Sequence, residues 1–257
     1  MFIETVISKA GRDYNEYTMN IRQKLIYTSA AVAVIFLLSY MFYRSLVLSV
    51  LLTPLALFYP RMKKVELIKL QKKELNIQFK DMLYSLSSSL SAGKSIEMAF
   101  REVIRDIAVL YQDNDAYIVR EVEHIVRRLE MNGTIESALA DFADRSHVED
   151  IRSFSDVFSI CKRSGGNMVE VIKNTTGIIN DKIEIYQEIE TLLSQRKFEQ
   201  KMLNILPAAM LLLLSLSSPA YMEPVFTTFA GRIAMSGAVL LFAAAWFISK
   251  KLVEIKL

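Results

Sequence analysis

Four stretches of the chain carry no charged residue: Leu25 to Tyr43, Ser45 to Pro60, Met202 to Met222 and Ile233 to Ser249. Each approaches the roughly 20 apolar residues needed to cross a hydrocarbon core about 30 Å thick, so the pattern predicts four membrane spans. As one helix, residues 25 to 60 would be about 54 Å long at 1.5 Å per residue, so a hairpin turning near Arg44 fits better. The run from Ser45 to Pro60 is short and broken by Pro54, and its alternative is a re-entrant or interfacial segment. The first run begins late, after Glu4, Asp13 and Glu16, and does not read as a cleaved signal peptide.

Between the two apolar pairs the pattern changes. All five prolines, at 54, 60, 207, 219 and 224, lie in or beside the apolar runs, and residues 61 to 206 have none. Leu75, Phe79, Met82, Leu86 and Leu90 recur at three- and four-residue steps, as do Ile118, Val122, Ile125 and Leu129, and Ile151, Phe154, Phe158 and Cys161. That period puts each set on one helical face, and no sustained two-residue alternation argues for a sheet. The expected fold class is all-α: about four transmembrane helices and one antiparallel helical bundle. The divisions are an N-terminal segment 1–24, a membrane hairpin 25–60, a helical domain 61–201, a second membrane pair 202–249 and a basic tail 250–257. From Ile178 to Leu206 neither glycine nor proline interrupts the chain, so one helix of about 43 Å is expected there, with Ile179, Ile183, Tyr186, Ile189 and Leu193 as its seam. It is either a rod that transmits movement or a plain stalk.

Three corners share one design. Gly93 is followed by Ser95 and Glu97, Gly133 by Thr134 and Glu136, and the pair Gly165 and Gly166 by Asn167 and Glu170. Glycine accepts the left-handed backbone that ends a helix, and Ser, Thr or Asn accepts hydrogen bonds from the free N–H groups of the next. The glycine pair also invites a phosphate-cradling reading, but no Lys-Ser/Thr follows it. At Gly93-Lys94-Ser95, Ser88 stands where the first glycine of a phosphate loop belongs, after a helix and not a strand. Nucleotide binding by this chain is therefore rejected.

Charge decides orientation. Arg12, Arg22 and Lys24 precede the first run, and Arg61, Lys63, Lys64, Lys69, Lys72 and Lys73 follow the second. Arg196, Lys197 and Lys201 lead into the third, and Lys250, Lys251 and Lys256 follow the fourth, whereas the opposite loops hold only Arg44 and Arg232. The positive excess predicts that both termini and the helical domain are cytoplasmic. With a net charge of +3 the basic residues serve topology and anionic lipid better than nucleic acid. The lone Cys161 offers no disulfide, and His147 among Asp141, Asp144, Glu149 and Asp150 reads as a solvated turn before a cation site. No nucleophile sits beside a base, so no enzyme, cofactor or metal is expected.

The third run opens on Leu206-Pro207 and closes through Pro219, Tyr221 and Pro224, while the fourth is rich in small residues that permit close helix packing. No ionisable residue lies within a run, which weighs against the alternative of a transporter or channel subunit. A membrane-bound signalling enzyme would need catalytic groups the sequence does not offer. The ordered set LSAGKSIEMAF, NGTIESALADFADRS, CKRSGGNMVEVI and ILPAAMLLLLSLSSPAYMEPVF, followed by TTFAG, resembles the type II secretion F-domain platform proteins, most closely the tight-adherence (Flp pilus) TadB/TadC branch. The resemblance extends over about residues 65 to 257. It implies a six-helix F domain and an inner-membrane platform for pilus assembly or type II-like secretion. The implied partners are a hexameric secretion ATPase, a sister platform protein and pilin subunits, in a homo- or hetero-oligomer. Gly93, Gly133, Gly165, Gly166 and Asn167 match the family's corners, and Pro207, Pro219 and Tyr221 its membrane motif.

Overall fold

In the computed structural model, residues 11–111 and 116–253 are described; Leu48, Leu55, Trp246 and residues 250–253 enter by backbone alone. The start of the N-terminal segment, including Glu4, and the end of the basic tail, including Lys256, lie outside the described residues. The described chain is helical without strands. Its helices are α1 (Ile21–Tyr43), α2 (Leu46–Leu52), α3 (Tyr59–Ser91), α4 (Ile96–Leu110), α5 (Tyr117–Glu130), α6 (Ile135–Ser146), α7 (Glu149–Ser164), α8 (Met168–Ser217), α9 (Pro219–Thr227) and α10 (Phe229–Val253), with a 3₁₀ turn at Thr53–Phe58. The described residues up to Thr18 form one compact unit with Lys64–Ile185, and Met19–Lys63 form a second with the described residues from Tyr186 onward. Helices α3 and α8 contribute residues to both.

The first unit is a bundle closed over one apolar core. The predicted stripe of α3, Leu75, Phe79, Met82, Leu86 and Leu90, is buried throughout. Phe79 meets Phe154 edge-on at 5.5 Å and Phe142 at 6.0 Å between ring centroids. Ile118, Val122 and Ile125 of α5 and Ile151, Phe154 and Phe158 of α7 complete the stripes expected of those helices. The structure adds two faces that the sequence reading did not single out: Ala99, Phe100, Val103 and Ile107 on α4, and Ile135, Ala138, Leu139 and Phe142 on α6.

The start of α5 is capped from a neighbouring helix. Ala116 precedes α5 and offers no side-chain cap, and the free N–H of Ile118 instead donates to Oε1 of Gln78 on α3, at 3.1 Å and buried. A core position thus caps a neighbouring helix, which ties the start of α5 to α3.

In the second unit three helices are long and apolar enough to cross a membrane: Ile21–Tyr43 with a mean hydropathy of 2.0, the apolar part of Met168–Ser217 at 1.4, and Phe229–Ser249 at 1.7. The run from Ser45 to Pro60 holds no helix of that length, yet where α1 crosses a membrane this run must return the chain, because the described residues up to Thr18 and those from Lys64 belong to one unit. The run forms the seven residues of α2, the 3₁₀ turn and the first two residues of α3. Pro54 has no N–H to continue the helix and its ring crowds the carbonyl four residues back. Ser49 and Thr53 hydroxyls donate to the carbonyls of Ser45 and Ser49, a local bonding habit that bends helices.

The long helix also differs from expectation. It starts at Met168, ten residues earlier than predicted, passes through Gly177 and Pro207, and runs 50 residues to Ser217, about 75 Å at 1.5 Å per residue. Gly177 has no neighbour within 4 Å of a would-be Cβ, so it costs the helix propensity without breaking it.

Candidate functional site

The three glycine corners lie between α3 and α4, α5 and α6, and α7 and α8. Gly93 is left-handed at φ +81° and its N–H donates to the carbonyl of Leu90, while Ser95 accepts from the N–H of Met98. Thr134 accepts from the N–H of Ser137. Gly165 caps α7 at φ +68°, and the N–H of Gly166 returns to the carbonyl of Cys161 at 3.1 Å. Asn167 accepts from the N–H of Glu170 at 3.3 Å and donates its amide to that carboxylate.

At the second corner the expected division of labour is reversed. The left-handed residue is Asn132, at φ +61°, and not Gly133. Gly133 is needed for space: a Cβ there would stand 2.8 Å from the carbonyl oxygen of Arg128, which the Gly133 N–H itself bonds. Asparagine tolerates the left-handed region because its short polar side chain can bond locally, so the two residues share what a single glycine does elsewhere.

Between corners, polar groups tie the helices. Along α3 and α4 the Tyr111 hydroxyl donates to Asp81 at 2.5 Å, Ser85 donates to Asp106, and both Ser89 and Lys94 donate to Glu102. The hydrogen bonds from Lys94 and then Ser89 hold the Glu102 carboxyl below its ordinary range. Burial, followed by the bond to Asp81, raises the Tyr111 phenol. Asp150 accepts from Asn76 at 2.8 Å and pairs with Lys182 at 2.6 Å, joining α3, α7 and α8.

One ion pair is buried. Glu121 lies on the apolar face of α5, 2% exposed, and takes both Nη atoms of Arg145 from α6 at 2.9 and 2.7 Å. Burial works against the Arg145 cation, but Glu121 and Asp141 outweigh it and hold the guanidinium above its ordinary value. A carboxylate placed inside the Ile118, Val122 and Ile125 stripe was the sequence signal for this pair, because a buried charge must find a partner.

The acidic group around His147 is engaged in such contacts. Asp141 pairs with Arg128 and Arg145, Asp144 with Arg152, and His147 stands 3.4 Å from Asp13. Among the described residues no group of three His, Cys, Asp or Glu could hold a metal ion. The other histidine, His124, keeps an unpartnered buried Nδ1 and titrates below its ordinary value, chiefly through burial and then the Arg145 charge.

In the second unit, Pro207 lies inside α8, Pro219 opens α9 after Ser218, and Pro224 lies within α9. Tyr221 is exposed. Met222 and Phe226 of α9 pack with Phe42 and Met235, beside a pocket of about 60 Å³. The glycine corners and the membrane prolines therefore belong to different units.

A helical body with polar staples between its helices, one of whose helices continues into an apolar run, matches a known design. The family description type II secretion system (T2SS), protein F, fits residues 82–216, more than half of the chain. The chain belongs to the protein F family. No curated protein and no solved structure matches it. Protein F members are non-enzymatic structural components of secretion and pilus platforms. The matched segment takes in the end of α3, all of α4 to α7, and α8 to one residue short of its end. It is narrower than the resemblance read from the sequence: the three corners and Pro207 fall inside it, and Pro219, Tyr221 and Pro224 lie beyond. Together with the apolar helices, membership makes this a membrane-embedded protein F relative.

Proposed function

We propose that this chain is an inner-membrane platform protein that couples a cytoplasmic secretion ATPase to the extraction and assembly of pilin subunits, in a tight-adherence (Flp) pilus or a type II-like secretion system. The observation that carries the reading is α8. A single helix carries the buried Ile172, Ile179 and Ile183 of the bundle, continues without a break, and ends in a window apolar enough to span a bilayer. Such an element passes displacement along its axis, because its backbone hydrogen bonds run along that axis, with Pro207 as the one position that has no N–H to contribute. The basic flanks of the apolar runs support a cytoplasmic bundle, on the side where an ATPase works. A sister platform protein and the pilins complete the assembly, with this chain as a homo- or hetero-oligomer.

Purification of the full chain in detergent together with the hexameric secretion ATPase of its own system tests the proposal. Co-elution, with fibre assembly or secretion lost on deletion of the chain, is expected. Absence of any association, combined with normal fibres in the deletion strain, contradicts it.

A further inference from the structure

The segment Gly11–Thr18 lies outside the matched family region, yet it is built into the bundle. Tyr14 is 1% exposed, and its hydroxyl donates to Oε1 of Glu121 at 2.9 Å. Its ring meets Tyr117 edge-on at 5.7 Å, and its backbone N–H donates to the carbonyl of Arg145 at 2.9 Å. Two residues earlier, the carbonyl of Arg12 accepts from Arg145, and the Arg12 guanidinium lies over the Tyr117 ring at 5.4 Å. The segment packs closely on Arg145: a Cβ at Gly11 would stand 2.2 Å from a guanidinium nitrogen, so any larger residue there must push that side chain aside.

We propose that α5 and α6 form a binding seat for an extended, tyrosine-bearing peptide, that its occupant is the chain's own Gly11–Thr18, and that this segment is a releasable latch with Tyr14 as its key. The seat recognises backbone through the Arg145 carbonyl and guanidinium, and side chain through the pocket that ends on Glu121.

Two features make the latch releasable. The Glu121–Arg145 pair is complete without it, since both Nη atoms stay on Glu121 and Nε stays on Asp141, so undocking strands no charge. One fully buried side chain also anchors a stretch in which Arg12, Asp13, Asn15 and Glu16 are exposed, and irregular segments with so little burial open independently of a core. Met19 and Asn20 alone separate the latch from α1, so its closure gives the bundle a third covalent tie to the apolar helices, besides α3 and α8.

Hydrogen–deuterium exchange on the full chain in detergent micelles tests this, comparing the fragment 11–18, fragments of α5 and α6, and a free peptide of sequence 11–18. The latch predicts that the fragment in the wild-type chain exchanges about ten-fold more slowly than the free peptide and about ten-fold faster than Ile118–Val126. Tyr14→Phe, which keeps the ring and loses the bond to Glu121, speeds the fragment about ten-fold. Tyr14→Ala brings it to the free-peptide rate, and neither variant moves the α5 and α6 fragments more than about two-fold. Free-peptide exchange in the wild-type chain would show that the seat is empty. Exchange of the fragment in step with α5, or an equal acceleration of α5 and the fragment in Tyr14→Ala, would show a fixed part of the core. Either result overturns the latch.

Discussion

The two units of this chain use the same residue types in opposite directions. In the bundle, Leu75, Phe79 and Leu86 are fully buried and the surface carries the charge. In the other unit, Leu213, Leu240 and Leu241 are 64 to 75% exposed within the chain, in stretches without charge. The difference is one of solvent. Water drives the first unit to close over its apolar atoms, whereas helices in lipid satisfy their backbones internally and can leave Leu and Phe outside. The bundle therefore owes its shape to a core, and the apolar unit to helix length and to small contacts such as the hydroxyl of Tyr43 on Ser236.

The largest expected effect comes from deleting the same kind of bulk in each. Phe79→Ala should cost the bundle about 3–5 kcal/mol, since the rings of Phe142 and Phe154 both lose a partner. Leu240→Ala, at a lipid-facing position, should change stability in micelles by less than about 0.5 kcal/mol. Chemical denaturation of both variants checks the contrast. Equal losses would mean that the apolar unit has a water-type core after all.

Glycine gives a smaller and sharper contrast. Gly165→Ala forces a Cβ into a left-handed backbone and should cost about 1–2 kcal/mol. Gly237, inside α10 with no neighbour within 4 Å of a would-be Cβ, should accept Ala at no loss, and gain up to about 1 kcal/mol of helix propensity. Thermal melts of the two variants measure this.

The smallest effect is one of pH, and it should be confined to the bundle. Burial depresses the His124 pKa below the unfolded value of 6.5, so the unfolded chain takes up the proton first. The stability from its neutral ring is present above pH 6.5 and is lost as pH falls through the lower folded value. Denaturation between pH 8 and pH 5 should show a bundle transition that weakens toward acid in the wild-type chain and less so in His124→Asn. An unchanged slope in the variant would remove His124 from the account.

What could be read in advance followed from periodicity and chemistry that act over a few residues. The stripes of α3, α5 and α7 were legible because each repeats at three and four over a whole helix, and the corners because glycine is followed at once by a capping side chain. Whether the run at Ser45–Pro60 is one continuous helix was not legible, because absence of charge measures hydropathy and not helix continuity. Pro54 and two hydroxyls decide the latter. Asn132, which takes the left-handed role assigned to Gly133, stood one position from the stronger signal. Gln78 as the cap of α5, and Tyr14 as a core residue of a bundle that begins 50 residues later, were beyond reach, because nothing local marks a partner 40 or 107 positions away.

In the proposed function the helical bundle is a cytoplasmic body held by apolar helices in the inner membrane. Single cysteines at the exposed positions 120 and 152, in a chain with Cys161→Ser, report it directly through a membrane-impermeant thiol reagent. Labelling in inverted inner-membrane vesicles and protection in intact spheroplasts is predicted. Labelling in intact spheroplasts would place the bundle on the other side and contradict the account.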